Sequence, residues 1–315
     1  AATGEVYAAC SLPYMDPNNM AESEVGSEHV KAITQPYEPG STFKSVSAMA
    51  ILESKAMGPE TTMFCPSTIS ANDYDVSDSH ERDGATYSLR EILNHSSNVG
   101  ISLASYNAGF DKLNDAIKRY HLTEATGIDY PGEGSGSVLD FSKWGRITGY
   151  NISFGQGISV TPLQMVRFYG AIANDGVMVT PHFLIAKTQS GEVPTYHEET
   201  VTEDMEAIED LRSMLRSVVT NGTGVAADIE GYEVCGKTST AEIPSEEGGY
   251  KQEVYNLGFC GFIDNSSSKL VCFVGANEVY AMRQTTQIFN DIMSNAVKQY
   301  NITAAEAKQP ATSKE

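Results

Sequence analysis

Three short segments of this 315-residue chain carry residues whose types and spacing suit nucleophilic chemistry. Ser41-Thr42-Phe43-Lys44 sets a hydroxyl and an ammonium three positions apart, which at the start of a helix puts both on one face, one turn from each other. A neutral Lys in that place takes the hydroxyl proton, and the helix N-terminus stabilises developing negative charge. Ser96-Ser97-Asn98 offers a hydroxyl and a carboxamide between two predicted helices, where Ser96 can relay a proton and Asn98 can hold a substrate amide. Lys237-Thr238-Ser239-Thr240 lies on a predicted strand after the turn-rich Asn221-Gly222-Thr223-Gly224. There a Lys and two hydroxyls bind a carboxylate, and an unpaired strand N–H donates to an oxyanion. Each segment also has a purely structural alternative: a capping Ser followed by a surface Lys, a cap at the next helix, and a solvated sheet edge. SxxK alone favours the structural alternative.

The elements that must position these residues follow from periodicity. Glu5 to Cys10 reads as an opening strand and Pro13 to Gln35 as loop. Ser41 to Glu53 reads as a helix, with Phe43, Val46, Met49, Ala50 and Leu52 at helical spacing. Gly58 to Tyr87 is irregular, Ser88 to Leu93 is a short helix, and Val99 to Tyr120 is helical with a break at Ala108-Gly109. After the irregular stretch Thr123 to Asn151, Thr161-Pro162 opens a helix that reaches Asn174-Asp175-Gly176, with Thr as cap and Pro at the first helical position. A helix from about Glu203 to Val219 precedes three strands, Tyr232 to Ile243, Glu253 to Ile263 and Leu270 to Ala276, whose short connections make them antiparallel. Met282 to Tyr300 reads as a closing helix, and 303–315 as a disordered tail. The fold class is α+β: a sheet subdomain from about 1–55 and 177–302, a helical subdomain from about 56–176, and a site expected in the cleft between them.

Composition narrows the classes of partner. With 21 Lys+Arg against 41 Asp+Glu, the formal charge of -20 repels phosphate backbones, so nucleic acid is excluded as a partner. No apolar run approaches the roughly 18 residues that span a bilayer, and the abrupt start reads as a fragment boundary. Five cysteines without a CxxC pair indicate neither a disulfide framework nor a zinc site. Cys260 and Cys272 flank the turn Asp264 to Lys269 and read as buried strand residues, with a bridge between them as the minor alternative.

The order SxxK, SxN and a KT-bearing strand is the signature of β-lactamases and penicillin-binding proteins. The surrounding blocks are more specific. Tyr37-Glu38-Pro39-Gly40-Ser41-Thr42-Phe43-Lys44, Leu93-Asn94-His95-Ser96-Ser97-Asn98-Val99-Gly100, Gly155-Gln156-Gly157-Ile158-Ser159-Val160-Thr161-Pro162-Leu163-Gln164 and Asn221-Gly222-Thr223-Gly224 together resemble the transpeptidase domain of class B penicillin-binding proteins. The resemblance runs from about Thr3 to Tyr300, and Tyr37-Glu38-Pro39-Gly40 looks most like the division and sporulation branch.

That resemblance implies the penicilloyl-serine transferase fold and a D,D-transpeptidase that cross-links peptidoglycan stem peptides ending in D-Ala-D-Ala and is acylated by β-lactams. Ser41 would be the nucleophile, Lys44 its base, Ser96 and Asn98 the proton relay and amide contact, and Lys237 an electrostatic support. Thr238 and Thr240 would bind the substrate carboxylate, and the N–H groups of Ser41 and Thr240 would form the oxyanion hole. The motifs leave open which group deprotonates Ser41. The family needs no metal or organic cofactor, works with other cell-wall synthesis proteins, and sits on the extracytoplasmic face of the bacterial membrane through an N-terminal anchor. The same motifs serve D,D-carboxypeptidases, β-lactamases and β-lactam sensors. The length and the Gly155-Gln156-Gly157 block argue against a small β-lactamase, and the retained Ser41, Lys44 and Ser96 argue against a silent scaffold. Ser239 departs from the family, which has Gly there. Alternation puts its side chain on the Lys237 face, toward the Ser41 helix, where it is expected to shift the strand or narrow the site and so hold acylation down by about tenfold or less.

Overall fold

The computed structural model describes residues 1–71, 74–244, 250–280 and 285–305. Its α-helices are α1 (Lys31–Thr34), α2 (Lys44–Glu53), α3 (Leu89–Asn94), α4 (Asn98–Ala108), α5 (Phe110–Arg119), α6 (Arg146–Ser153), α7 (Pro162–Ala173), α8 (Met205–Asn221) and α9 (Thr285–Gln299). The strands are β1 (Thr62–Cys65), β2 (Thr68–Ala71), β3 (Tyr74–Ser77), β4 (Ala85–Ser88), β5 (Ser137–Val138), β6 (Ile158–Ser159), β7 (Val177–Val179), β8 (Glu198–Thr200), β9 (Val234–Pro244), β10 (Tyr250–Ile263) and β11 (Val271–Tyr280).

α2 is the centre of the molecule. Val46, Ala48, Met49, Ala50, Ile51 and Leu52 are all buried, so the helix is covered on every side rather than along one stripe. Burial all round forces its polar side chains to find partners: Ser45 shares a 2.7 Å hydrogen bond with the Tyr169 hydroxyl, and Ser47 donates to the Ser153 carbonyl at 2.7 Å. α4, α5 and α8 pack around α2. The Thr161 cap predicted from sequence is present as a full capping box with Gln164 and starts α7 as expected.

The main sheet has the antiparallel order β11-β10-β9. One face carries Phe259, Ile263 and Val234 against Phe289, Met293 and Val297 of α9. The other presents Cys235, Cys260 and Phe262 to the cluster built on α2. Each large apolar side chain buried this way contributes about 1.5–3 kcal/mol. β9 is the edge strand of the sheet, and among the described residues no further strand pairs with it.

The structure corrects several expectations. Glu5 to Cys10 forms no strand; Glu5 makes only an isolated parallel bridge to His182. The presumed loop before residue 35 holds α1, and the presumed irregular region 58–87 holds two hairpin-like pairs, β1 with β4 and β2 with β3. These strands are four residues long, which is too short for a period of two to stand out from the sequence around it. Part of α6 likewise falls in the presumed irregular stretch 123–151. Thr303 and Ala305 are not frayed, since they bond to Ser267 and Asn265, whereas 306–315 lies outside the described residues. All five cysteines are free. Cys260 stands opposite Phe273 and Cys272 opposite Gly261, one position out of register, so the two thiols belong to opposite faces of the sheet.

Gly40 and Gly155 meet backbone to backbone beneath the first motif. Gly40 N–H donates to the Gly155 carbonyl at 3.0 Å, and both residues have positive φ, 53° and 86°. A Cβ on Gly155 would lie 2.2 Å from the Gly40 carbonyl oxygen. Gly155→Ala is therefore expected to destabilise the fold by about 1–3 kcal/mol through strain and overpacking, visible as a lowered melting temperature. A wild-type melting temperature would show that the loop yields freely.

Candidate active site

Ser41 sits in a 3₁₀ turn, Gly40–Phe43, that runs straight into α2, so the single helix expected from sequence has a tighter first turn. The turn is fixed from three sides. Thr42 donates to the Pro39 carbonyl at 2.8 Å, the Tyr169 hydroxyl donates to the Thr42 carbonyl at 3.1 Å, and Gly40 is held by Gly155. Lys44, the first residue of α2, has no solvent exposure. Its ammonium donates to the Ser96 carbonyl at 2.5 Å, the Ser96 hydroxyl at 3.2 Å and Asn98 Oδ1 at 2.7 Å.

The middle motif is a helix-to-helix junction. α3 ends in a Schellman arrangement: Ser96 N–H bonds to the Leu93 carbonyl at 3.1 Å and Ser97 N–H to the Ile92 carbonyl at 2.9 Å. The residue at the left-handed position is usually Gly, but here it is Ser96 with φ 55°. A side chain there costs about 1–2 kcal/mol, and it is the Ser96 hydroxyl that reaches both lysines. Ser97 then caps α4 by accepting from Gly100 N–H at 2.9 Å.

β9 supplies the third side. Lys237, also fully buried, donates to the Ser96 hydroxyl at 3.0 Å and to the Thr238 carbonyl at 3.2 Å. Thr238 shares a 2.6 Å hydroxyl contact with Thr223. Thr240 is exposed on the same edge. The structure thus brings Ser41, Lys44, Ser96, Asn98, Lys237, Thr238, Ser239 and Thr240 to one junction between α2, the α3–α4 turn and the edge of β9. Asp78 and Arg82, which contact Ser97, and Thr223 were not flagged by sequence reasoning. Thr223 lies in the Asn221-Gly222-Thr223-Gly224 block, and that was its only signal.

Residues 1–294 match the penicillin binding protein transpeptidase domain. The chain belongs to that family. It is 33% identical over 288 residues to penicillin-binding protein PbpB of Mycobacterium tuberculosis, which covers 86% of this chain and 42% of that protein. It is 30% identical over 284 residues to stage V sporulation protein D of Bacillus subtilis, covering 87% of this chain and 43% of that one. These relatives put it in the class B division and sporulation branch. Among solved structures, penicillin binding protein 3 of M. tuberculosis complexed with aztreonam superposes with a TM-score of 0.83 at 29% identity, over 92% of this chain and 68% of that one. The chain spans less than half the length of these two curated relatives, and its fold is the transpeptidase fold expected from the motifs.

Electrostatics in this transpeptidase site are dominated by burial. Desolvation drives the Lys44 ammonium well below the usual lysine range, the nearby Lys237 charge pushes the same way, and Asp78 opposes both. Lys237 is lowered to about 7 by burial. Both shifts run in the same direction, toward the neutral amine, which is the form that can accept a proton.

Ser239 shares the inward face of β9 with Lys237, as alternation requires, and donates to the Pro39 carbonyl at 2.9 Å. β9 keeps an unbroken register with β10 from Val234 to Glu242 through this position. The additional hydroxymethyl group is thus taken up as a tie between the sheet edge and the turn that carries Ser41. Ser239→Gly is expected to lower stability by about 1–2 kcal/mol, the sum of one hydrogen bond and the added backbone freedom. Acylation should change by less than about tenfold, because a complete oxyanion donor is worth about 10²–10³-fold. Denaturant titration and stopped-flow acylation check both, and unaltered stability would mean the tie contributes nothing.

Proposed function

We propose that this chain is a peptidoglycan D,D-transpeptidase domain that works through an acyl-enzyme on Ser41. The observation that carries the reading is the buried Lys44 ammonium, one turn from Ser41 and bonded to Ser96 and Asn98, with the Ser96 hydroxyl shared by Lys237. The PbpB and penicillin binding protein 3 relatives support it, as does a second structure of the latter complexed with ampicillin.

The geometry maps onto acyl transfer in two steps. Neutral Lys44 takes the Ser41 proton as Oγ attacks the penultimate carbonyl of a stem peptide ending in D-Ala-D-Ala. The oxyanion forms against the N–H groups of Ser41 and Thr240, and Thr238 and Thr240 hold the terminal carboxylate. The C–N bond then breaks, the departing D-Ala amine takes a proton through the Ser96 hydroxyl, and an amine of a neighbouring stem attacks the acyl-enzyme to form the cross-link and release Ser41. Asn98 holds the substrate amide. A β-lactam follows the first step, but its leaving amine stays attached, which gives a long-lived adduct. The domain spans 1–302, and the site falls where the sheet subdomain (1–55 and 177–302) meets the helical one (56–176). Its substrate lies on the extracytoplasmic side of a bacterial membrane, where we place the domain, tethered through a segment outside this sequence and working with other cell-wall synthesis proteins.

Incubation with a penicillin is expected to add one covalent mass at Ser41, mapped by peptide mass spectrometry, and Ser41→Ala is expected to remove it. An adduct on the Ala variant would overturn the reading. Lys44→Ala should acylate about 10²–10⁴-fold more slowly. Because only neutral Lys44 accepts the proton and burial lowers its pKa, the wild-type acylation rate should rise with pH and level off below the usual lysine range. The Ala variant should lack that rise.

A further inference from the structure

Ser96 holds a backbone conformation that L side chains rarely adopt, and it makes the contacts that define the site. Such strain persists only where the surroundings over-determine it. The surroundings include a charged pair that neither the motifs nor the family signature contains. Asp78, in the connection between β3 and β4, accepts from the Ser97 hydroxyl at 3.0 and 2.9 Å, from Val99 N–H at 3.0 Å and from Arg82 Nε at 2.6 Å. Arg82 is anchored in turn, donating to the carbonyls of Cys65 and Asp83 at 3.0 and 2.9 Å and of Pro66 at 3.1 Å, with its guanidinium 5.2 Å from the centre of the Tyr87 ring. The two side chains are only 11% and 17% exposed. Next to Asp78, the Ser77 carbonyl accepts from Asn98 Nδ2 at 3.0 Å.

We propose that Asp78, locked by Arg82, is a positioning residue for acylation: it pins Ser97 and the first turn of α4, so that Ser96 keeps its left-handed backbone and turns both its carbonyl and its hydroxyl to Lys44. The inference rests on the roles given above to Ser41, Lys44 and Ser96. Its physics is that of an N-terminal helix anion. A carboxylate accepting a backbone N–H and a hydroxyl at the start of α4 makes charge-assisted bonds, roughly twice as strong as neutral ones, and Arg82 neutralises its cost of burial. Ser97 is fully committed by this arrangement, since it donates to Asp78 while accepting from Gly100 N–H. Without Asp78 the Ser97 hydroxyl keeps the bond from Gly100 N–H but loses its acceptor, and the adjacent Ser96 loses part of the constraint on its far side. The carboxylate also acts at a distance on Lys44. Of the charged groups that bear on that ammonium, Lys237 on β9 disfavours its charge and Asp78 favours it.

The test is stopped-flow acylation by a fluorescent penicillin, resolved into the dissociation constant of the non-covalent complex and the acylation rate per titratable Ser41. Wild type, Asp78→Asn and Asp78→Ala are compared across pH. In Asp78→Ala the acylation rate should fall by about 10–100-fold while the dissociation constant stays within about threefold, as expected when a reacting group is misplaced by a fraction of an ångström to an ångström. Asp78→Asn keeps the shape and the acceptor for Val99 N–H, so it should fall less, and it gives a reading if the Ala variant does not fold. With the carboxylate gone, Lys44 loses the charge that favours its ammonium, so the acid limb of the acylation rate should move to lower pH. Ser97→Ala removes the hydroxyl that Asp78 holds but leaves the Asp78 bond to Val99 N–H, so it should also slow acylation, and the losses of the two single variants should be less than additive in the double variant, because the Asp78–Ser97 bond is common to both. Wild-type acylation rates and an unmoved acid limb in both Asp78 variants would overturn the proposal. A loss confined to the amount of titratable Ser41 would overturn it equally, because that marks a purely structural role. Wild type that acquires no adduct at all would instead sink the transpeptidase reading, so the two failures are distinct.

Discussion

Two lysine side chains with no solvent exposure converge on one serine hydroxyl, and the rest of the architecture serves that arrangement. Burying an ammonium is costly unless every donor finds an acceptor. For Lys44 the acceptors are the Ser96 carbonyl and hydroxyl and Asn98 Oδ1, all from a turn more than fifty positions along the chain. Burial also lowers both lysines' affinity for protons, so the packing that shields the site from water favours their neutral amines. Packing and chemistry here have the same cause.

That constraint explains the placement of the large elements. α2 carries Lys44 and is enclosed on all sides, and the 3₁₀ turn before it, which carries Ser41, is held against Gly155 and Tyr169. The α3–α4 junction accepts a left-handed serine where glycine is the usual solution, since a glycine has no hydroxyl to offer the lysines. β9 is an edge strand, and the Ser239 side chain on its inward face makes the tie to Pro39 in front of the nucleophile turn. The sheet is stabilised from behind by α9, far from the chemistry, and so the reactive edge need not carry the core.

Similarity to the transpeptidase family agrees with this reading from an independent direction. Over the matched region the relatives are about a third identical to this chain, and that region covers most of this chain. The departure at Ser239 is informative for the same reason. Its hydroxymethyl group is held by a hydrogen bond to the Pro39 carbonyl, on a strand that keeps its register with β10 through this position.

The linear sequence by itself determined the three motifs, their order, the α+β class, the principal helices and the antiparallel character of the last three strands. Each of these is local: helical spacing brings Ser41 and Lys44 together, alternation sends Ser239 to the face of Lys237, and Thr161-Pro162 starts a helix wherever it stands. Tertiary structure alone decided the rest. The meeting of Lys44 with Ser96 and Asn98, of Lys237 with Ser96, of Thr223 with Thr238 and of Asp78 with Ser97 joins residues 15 to 141 positions apart, and no periodicity marks such pairs. The strands around Asp78 are four residues each, too short for their alternation to be read from the sequence. The expected opening strand failed because an apolar alternation favours a strand only where a partner edge is offered, and Glu5 finds just one bridge. The candidate reactive groups can be read locally from the sequence; which of them meet, and how deeply they are buried, is a property of the folded whole.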